Sequence, residues 1–365
     1  MKKLASLVLA LALAAPCAVP SSAEAALDAA KYLEAVAKGD DEVLQAIFAG
    51  PDREQAIAYR DSEGRSPLDH AFLHATPLQA YDAVLLLIRT GMEPGAGKRS
   101  PGLALIEQFA CDELPERIDP AAINEKLPSG LTPFHWACAL ADPQTLKRLV
   151  DAGADLSAAG AGGRGPADNA LIMAAARTRY ADVVDLLLKK GLDPESTSAS
   201  GMGALAVACL VNELPDAALA LIRAGASVKR EDATSGTPFQ YAARHAYALP
   251  LLKQLASRGA DVFASDDAGF TALHEAARSN PSPEVVKYLL GLGLPLNLKP
   301  GGEIGEGTPL MLAARSNPSP EVIRMLIDRG GDLKQRDGNG RTAFEGLPAE
   351  RKAWLKDAGL GRYLR

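Results

Sequence analysis

Basic charge is in short supply in this chain. Its 365 residues hold 39 Lys and Arg against 45 Asp and Glu, a formal net charge of −6. General nucleic-acid binding needs many cations against phosphate, so this balance argues against it. Aromatics are scarce as well, at 5%. A single thick core is usually filled with Phe, Tyr and Trp, whereas a thin core of Ala and Leu suits packed helices. Cysteine is rarer still. Apart from Cys17 there are only Cys111, Cys138 and Cys209, an odd number and no disulfide framework. What is present is ordinary for a globular chain: 47% hydrophobic and 23% charged residues, which excludes disorder.

Long apolar runs are missing beyond the first residues. Lys2 and Lys3 precede an unbroken apolar run from Leu4 to Ala15, and Pro16 and Pro20 follow. Ala23-Glu24-Ala25 then offers the small-x-small pattern of a cleavage site, so residues 1–25 are expected to be a signal peptide. The run is short for a transmembrane anchor, which needs about 20 apolar residues. Pro16, directly before Cys17, is unlike the small residue of a lipid-attachment site. The expectation is a chain exported to a bacterial periplasm, with no membrane insertion after cleavage.

The remainder, 26–365, repeats itself. Thr132-Pro133-Phe134-His135-Trp136-Ala137-Cys138 recurs as Thr237-Pro238-Phe239-Gln240-Tyr241-Ala242-Ala243. It recurs again as Thr271-Ala272-Leu273-His274-Glu275-Ala276-Ala277 and as Thr308-Pro309-Leu310-Met311-Leu312-Ala313-Ala314. Weaker copies start at Ser66, Asn169, Gly203 and Thr342. The anchoring apolar residue falls at 68, 134, 171, 205, 239, 273, 310 and 344, in steps of 66, 37, 34, 34, 34, 37 and 34. The double first step predicts a worn copy inside it, with Ser100-Pro101-Gly102-Leu103 as its remnant. Each copy is followed by a Leu-rich stretch ending in Gly, as in 145–153, 181–191, 250–259, 283–291 and 320–330, and then by Ala-Asp or a variant.

Elementary chemistry accounts for these residue types. Thr caps a first helix by accepting from an orphan backbone N–H. Pro follows at the first helical position, where its missing N–H costs nothing. The Ala pair lets neighbouring helices approach closely. Leu and Val at i, i+3, i+4 bury one face of a second helix, and the closing Gly takes the left-handed conformation that ends it.

The pattern resembles the ankyrin repeat over roughly residues 27–350. The resemblance implies an all-α solenoid of about eight turn-plus-two-helix repeats, stacked because no repeat buries its apolar face alone. Leu27 to Gly50 and residues 348–365 are expected to be capping helices. Stacking should be weakest near 95–126, where Pro115 and Pro120 interrupt the pattern. Cys138 and Cys209 occupy one position in two non-neighbouring repeats, beyond the roughly 7 Å reach of a disulfide. Cys111 with Cys138 is the pairing left to test, against three buried thiols acting as small apolar groups.

No catalytic motif is found. His-Glu-x-x-His, Gly-x-Ser-x-Gly and Cys-x-x-Cys are lacking, and the glycines of 91–100 have the wrong spacing for a phosphate loop. Glycine-rich 160–165 falls in a turn between repeats and reads as a flexible finger. His135 and His274 lie on the repeat motif, where the ring bonds backbone of the adjacent turn. No cofactor, metal or enzymatic activity is expected.

Function therefore falls to surfaces. The finger turns should carry Asp267 and Arg336 at their tips. The resemblance places the residues after the Ala pair in a concave groove, and these are Arg244, Arg278 and Arg315, with Arg177 one residue off register. Arg suits interfaces because its planar fork holds carboxylates and stacks on aromatics. The competing role for these arginines is to cap the first helices at their negative ends. The expected function is a monomeric, non-enzymatic binding module that holds, inhibits or assists another exported protein bearing an acidic patch. A multi-partner scaffold is the alternative, and an enzyme the least favoured.

Overall fold

The computed structural model describes residues 28–62, 64–74, 83–84, 86–87, 90, 100–110, 114–127, 130–158, 170–198, 201–212, 214–301 and 307–364. The expected signal peptide, Cys111, the glycines of 91–99 and the finger at 160–165 lie outside them.

The N-terminal cap is a helix pair, α1 (Ala29–Lys38) and α2 (Asp41–Ala49), followed by the short α3 (Arg53–Ala58). Asp28 and Asp40 cap the pair by accepting from the backbone of Lys31 and Val43, both at 3.1 Å. Tyr32 seals the cap. Its ring meets Phe48 and Tyr59 edge-on at 6.2 Å, and its hydroxyl donates to the Ala56 carbonyl.

The first helices of the repeats are α4 (Pro67–His74), α5 (Pro101–Ala110), α7 (Pro133–Leu140), α9 (Ala170–Arg177), α11 (Ala204–Val211), α13 (Pro238–Ala242), α15 (Ala272–Ser279) and α17 (Pro309–Ser316). The second helices are α6 (Pro120–Ile123), α8 (Pro143–Asp151), α10 (Ala181–Lys189), α12 (Asp216–Arg223), α14 (Ala248–Ser257), α16 (Pro283–Gly291) and α18 (Pro320–Asp328). First helices pack on first helices and second on second along the stack. The anchors Leu68, Phe134, Leu171, Leu205, Phe239, Leu273 and Leu310 are all buried, as are the Ala pairs between them. Two isolated β-bridges, Thr197–Gly203 and Ser265–Thr271, close finger turns. The last copy of the motif forms no first helix. Residues 342–346 make a turn that buries Ala343 and Phe344 and leads into the C-terminal cap helix α19 (Ala349–Asp357).

The worn repeat has a specific defect. Ser100 Oγ accepts from Leu103 N at 3.3 Å, so Ser100 holds the Thr position and Gly102 falls where the apolar anchor belongs. A Cβ on Gly102 would stand 2.9 Å from Glu125 Oε2 and 3.1 Å from the Ala122 carbonyl. The segment carrying the one-turn α6 fills that space, and Glu125 accepts from Gly102 N at 2.7 Å.

Second helices end as the sequence implies, with one shift. Gly153, Gly191, Gly259 and Gly330 have φ of 99°, 95°, 86° and 95°. In the 283–291 stretch, however, Gly291 is the last helical residue, and Gly293 two positions on takes the left-handed turn at 92°. A side chain is strained there whatever space surrounds it, most of all a β-branched one. Gly259→Val is expected to cost about 1–3 kcal/mol. Because coupling runs between neighbouring repeats, hydrogen exchange should quicken mainly within 229–300. An unchanged urea midpoint would refute this.

Candidate protein-interaction surface

Three carboxylates shape the finger turns by accepting from backbone ahead of them. Asp232 takes Thr234 N and Gly236 N, Asp266 takes Ala268 N and Phe270 N, and Asp337 takes Asn339 N and Arg341 N, at 2.8–3.1 Å. The turns are then tied to the helices. His135 Nε2 meets the Ala158 carbonyl at 3.1 Å, and His274 Nε2 meets that of Leu298 at 3.0 Å. Gln240 makes the same link to Phe270 at 2.7 Å. Burial holds the His274 imidazole down to a pKa of about 4; the Leu298 carbonyl opposes the shift and Arg278 adds to it. Both finger-tip residues named from the sequence have partners within the chain. Asp267 accepts from Ser235 Oγ at 2.7 Å across neighbouring fingers, and Arg336 pairs with Glu345 at 3.1 Å.

Asparagine caps the ends of three first helices. Asn280 Nδ2 donates to the carbonyls of Ala243 and His245, at 2.8 and 2.6 Å. Asn317 Nδ2 donates to Ala276, Ala277 and Asn280, and Asn212 Nδ2 to Ala175 and Thr178. Each asparagine thus closes the end of the first helix in the preceding repeat. At the end of the stack Arg351, on the cap helix, takes over and donates to Ala313, Ala314 and Asn317.

The groove arginines face other side chains. Arg244 Nε lies 3.4 Å from Glu275 Oε2 of the next repeat; their side chains are 38% and 13% exposed. The Arg278 guanidinium lies over the Phe270 ring, 4.9 Å from its centroid. Arg315 is held differently. It pairs at 2.5 Å with Asp337, whose side chain has no exposed surface and also pairs with Arg341 at 3.3 Å. Burial works against ionisation of Asp337, but the N–H of Arg341, the Arg315 guanidinium and the N–H of Asn339 together keep its carboxyl below the usual range. Arg177 ends α9 half-buried, and Ala176 holds the register that corresponds to Arg244. Glu275, Phe270 and Asp337 were not singled out in the sequence, because each contact joins different turns of the repeat pattern.

The thiols of Cys138 and Cys209 are free and fully buried, and burial raises both well above their ordinary values. Among the described residues, no group of three or more His, Cys, Asp or Glu is placed to hold a metal ion, and no helix is long and apolar enough to cross a membrane.

A family model described as ankyrin repeats (3 copies) matches residues 103–198 and 205–300, more than half of the chain, and a single ankyrin repeat model matches 307–338. The chain belongs to the ankyrin repeat family. An ankyrin repeat protein of fowlpox virus (strain NVSL) is 30% identical over 145 residues, which are 39% of this chain and 42% of the viral protein. The chain therefore spans less than half of that relative's length. The crystal structure of the human ASB11 ankyrin repeat domain aligns with a TM-score of 0.50 and 22% identity, over 64% of this chain and 96% of that one. That likeness supports the ankyrin repeat fold alone. The fold and the family are those of a protein–protein interaction module.

Proposed function

We propose that the groove around Arg244, Glu275 and Arg278 recognises a partner protein through carboxylates, and that this happens outside the cytoplasm, in a bacterial envelope. The observation that carries the first half is the cluster itself. Arg244 pairs with Glu275 of the next repeat, and Arg278, three residues further along that helix, lies over Phe270, in a chain whose net charge is −6. Such a local basic excess steers an acidic partner to the groove. Arg244 keeps more than a third of its side chain exposed while paired with Glu275. Arg315, fixed on a fully buried acid, belongs to the scaffold. Export is supported by the n-region, apolar run and small-x-small site of residues 1–25.

Bait chain and envelope extract, analysed by mass spectrometry, test the reading directly. The double variant Arg244→Glu/Arg278→Glu should lose whatever acidic partner the natural chain retains. Affinity should fall about tenfold or more, since arginines rank among the residues that dominate interfaces. The chain should stay folded but melt a few degrees lower, because Glu275, largely buried, loses Arg244 and gains a like charge beside it, so the loss of affinity is read on folded protein. Retained affinity would end the groove reading. Export has its own check. The mature protein should start near Ala26 in the periplasmic fraction, and a cytosolic precursor with Met1 intact would exclude the envelope.

A further inference from the structure

The ends of the second helices carry a recurring contact that the groove does not use. These helices close on a glycine turn, and at several of them the residue four places on reaches the glycine turn of the next repeat. A side-chain oxygen there accepts from the N–H two places beyond that next glycine. Glu195 Oε1 takes Ser227 N at 2.6 Å, and Asn297 Oδ1 takes Asp332 N at 2.8 Å. Asn124, at the end of α6, does the same for Asp155 N at 2.8 Å. Phe263 offers no oxygen, and its joint has no donor to satisfy. A Cβ on Gly293 would lie 3.9 Å from the Phe263 ring, and two places beyond Gly293 stands Pro295, which lacks an N–H.

At Lys229 the joint is incomplete. Lys229 Cε lies 3.7 Å from where a Cβ on Gly259 would stand, so its side chain also runs over the next turn. An ammonium donates and cannot accept. Asp261 N, the donor two places beyond Gly259, finds no acceptor among the described residues. The Asp261 carboxylate is engaged by Phe263 N at 2.9 Å. Beside this joint a cavity of about 300 Å³ opens between the turn after α12 and the end of α14, with Ser227, Lys229 and Arg258 in its lining. Neither of these cations is ion-paired among the described residues, whereas the neighbouring Arg223 and Arg230 are held by Asp185 and Glu195, at 3.3 and 3.1 Å.

We infer that this notch binds a carboxylate group supplied from outside the chain, in the place that the Glu195 carboxylate fills one repeat earlier. One oxygen accepts from Asp261 N, and Lys229 and Arg258 supply the charge that Arg230 supplies to Glu195. Hydrogen bonds and ion pairs to an ionised acceptor are the strong ones, and the site offers both. An amide of the same shape lacks the charge.

The test follows the Asp261 amide resonance of the isotope-labelled full chain at constant ionic strength. The probes are acetate, acetamide, and an end-blocked peptide with a single Glu among Gly and Ser. Acetate and the peptide should shift the resonance saturably, and acetamide should not. Lys229→Glu supplies the missing oxygen from within, so the resonance should already stand displaced and respond to neither acid. Arg258→Gln, at an exposed position, should weaken binding about tenfold. Arg278→Glu, in the groove, should leave it unchanged, so this site stands or falls apart from the groove. Peptide affinity about tenfold or more above that of acetate assigns the notch to an acidic side chain of a partner protein, and equal or lower affinity assigns it to a free acid. No saturable shift, an equal shift with acetamide, or an unaltered response in Lys229→Glu would overturn the assignment.

Discussion

Replacing Asn317 by Ala is expected to lower stability by about 3 kcal/mol, more than the usual effect of a single substitution. Asn317 is completely buried. Its amide donates to three carbonyls, Ala276, Ala277 and Asn280, at 3.3, 2.9 and 2.9 Å, and its Oδ1 accepts from Ser319 N at 2.8 Å. Alanine leaves the Ser319 N–H and two helix-end carbonyls without partners, and buried polar groups left unpaired cost about 1–3 kcal/mol each before relaxation. The Ala276 carbonyl suffers least, because it also accepts from Asn280 N. The loss has a location too. Asn317 joins the repeat of α17 to that of α15, and solenoid stability is a sum of repeats and nearest-neighbour interfaces. Hydrogen exchange should therefore quicken most in 309–357, and urea unfolding should broaden or split. Asn280→Ala, with two carbonyls and Ser282 N at stake, should follow the same course with a smaller loss. A change below about 1 kcal/mol for Asn317→Ala would mean that water satisfies these groups and that the asparagine column is incidental.

The same column shows where sequence reading stops. The ankyrin repeat was legible because each residue of its motif acts locally: Thr237 and Gln240 cap one helix together, Pro238 starts it, and Gly259 ends its neighbour. The string Ser-Asn-Pro-Ser-Pro-Glu, present at 279–284 and 316–321, is equally visible, yet the sequence assigns its asparagines no partner. Its asparagines act 37 residues back along the chain, across a repeat boundary, and nothing local marks that distance. The groove has the same limit. The register of Arg244, Arg278 and Arg315 was legible, but what separates them is a contact from elsewhere: Glu275 beside the first, Phe270 under the second, a buried Asp337 against the third. Gly102 stands in the motif where a Leu belongs, and only the fold shows that Glu125 and Ala122 occupy its space.

Acid should expose the cost of the finger links. His274 Nδ1 accepts from Thr271 N at 3.1 Å and Nε2 donates to the Leu298 carbonyl, so the neutral ring satisfies both sides. Protonation would put a second N–H against the Thr271 donor. With a folded pKa of about 4 against 6.5, the unfolded chain binds the proton first. The contribution of the neutral ring is complete above pH 6.5 and is lost as pH falls towards 4, with stability dropping by at most about 1.4 kcal/mol per pH unit. Integrated over that window the loss is about 3 kcal/mol. Carboxylates titrating in the same range would mask it, so the measurement needs a partner that differs in this group alone. The neighbouring repeat supplies one. Gln240 accepts from Thr237 N at 2.9 Å and donates to the Phe270 carbonyl at 2.7 Å, the same bridge without a titrating group. His274→Gln should therefore fold with little change at pH 7 and retain more stability than the natural chain at pH 4, by about 3 kcal/mol. Parallel urea-denaturation curves for the two proteins from pH 7 to pH 4 would show the imidazole to be readily protonated in the fold, and the seam indifferent to acid.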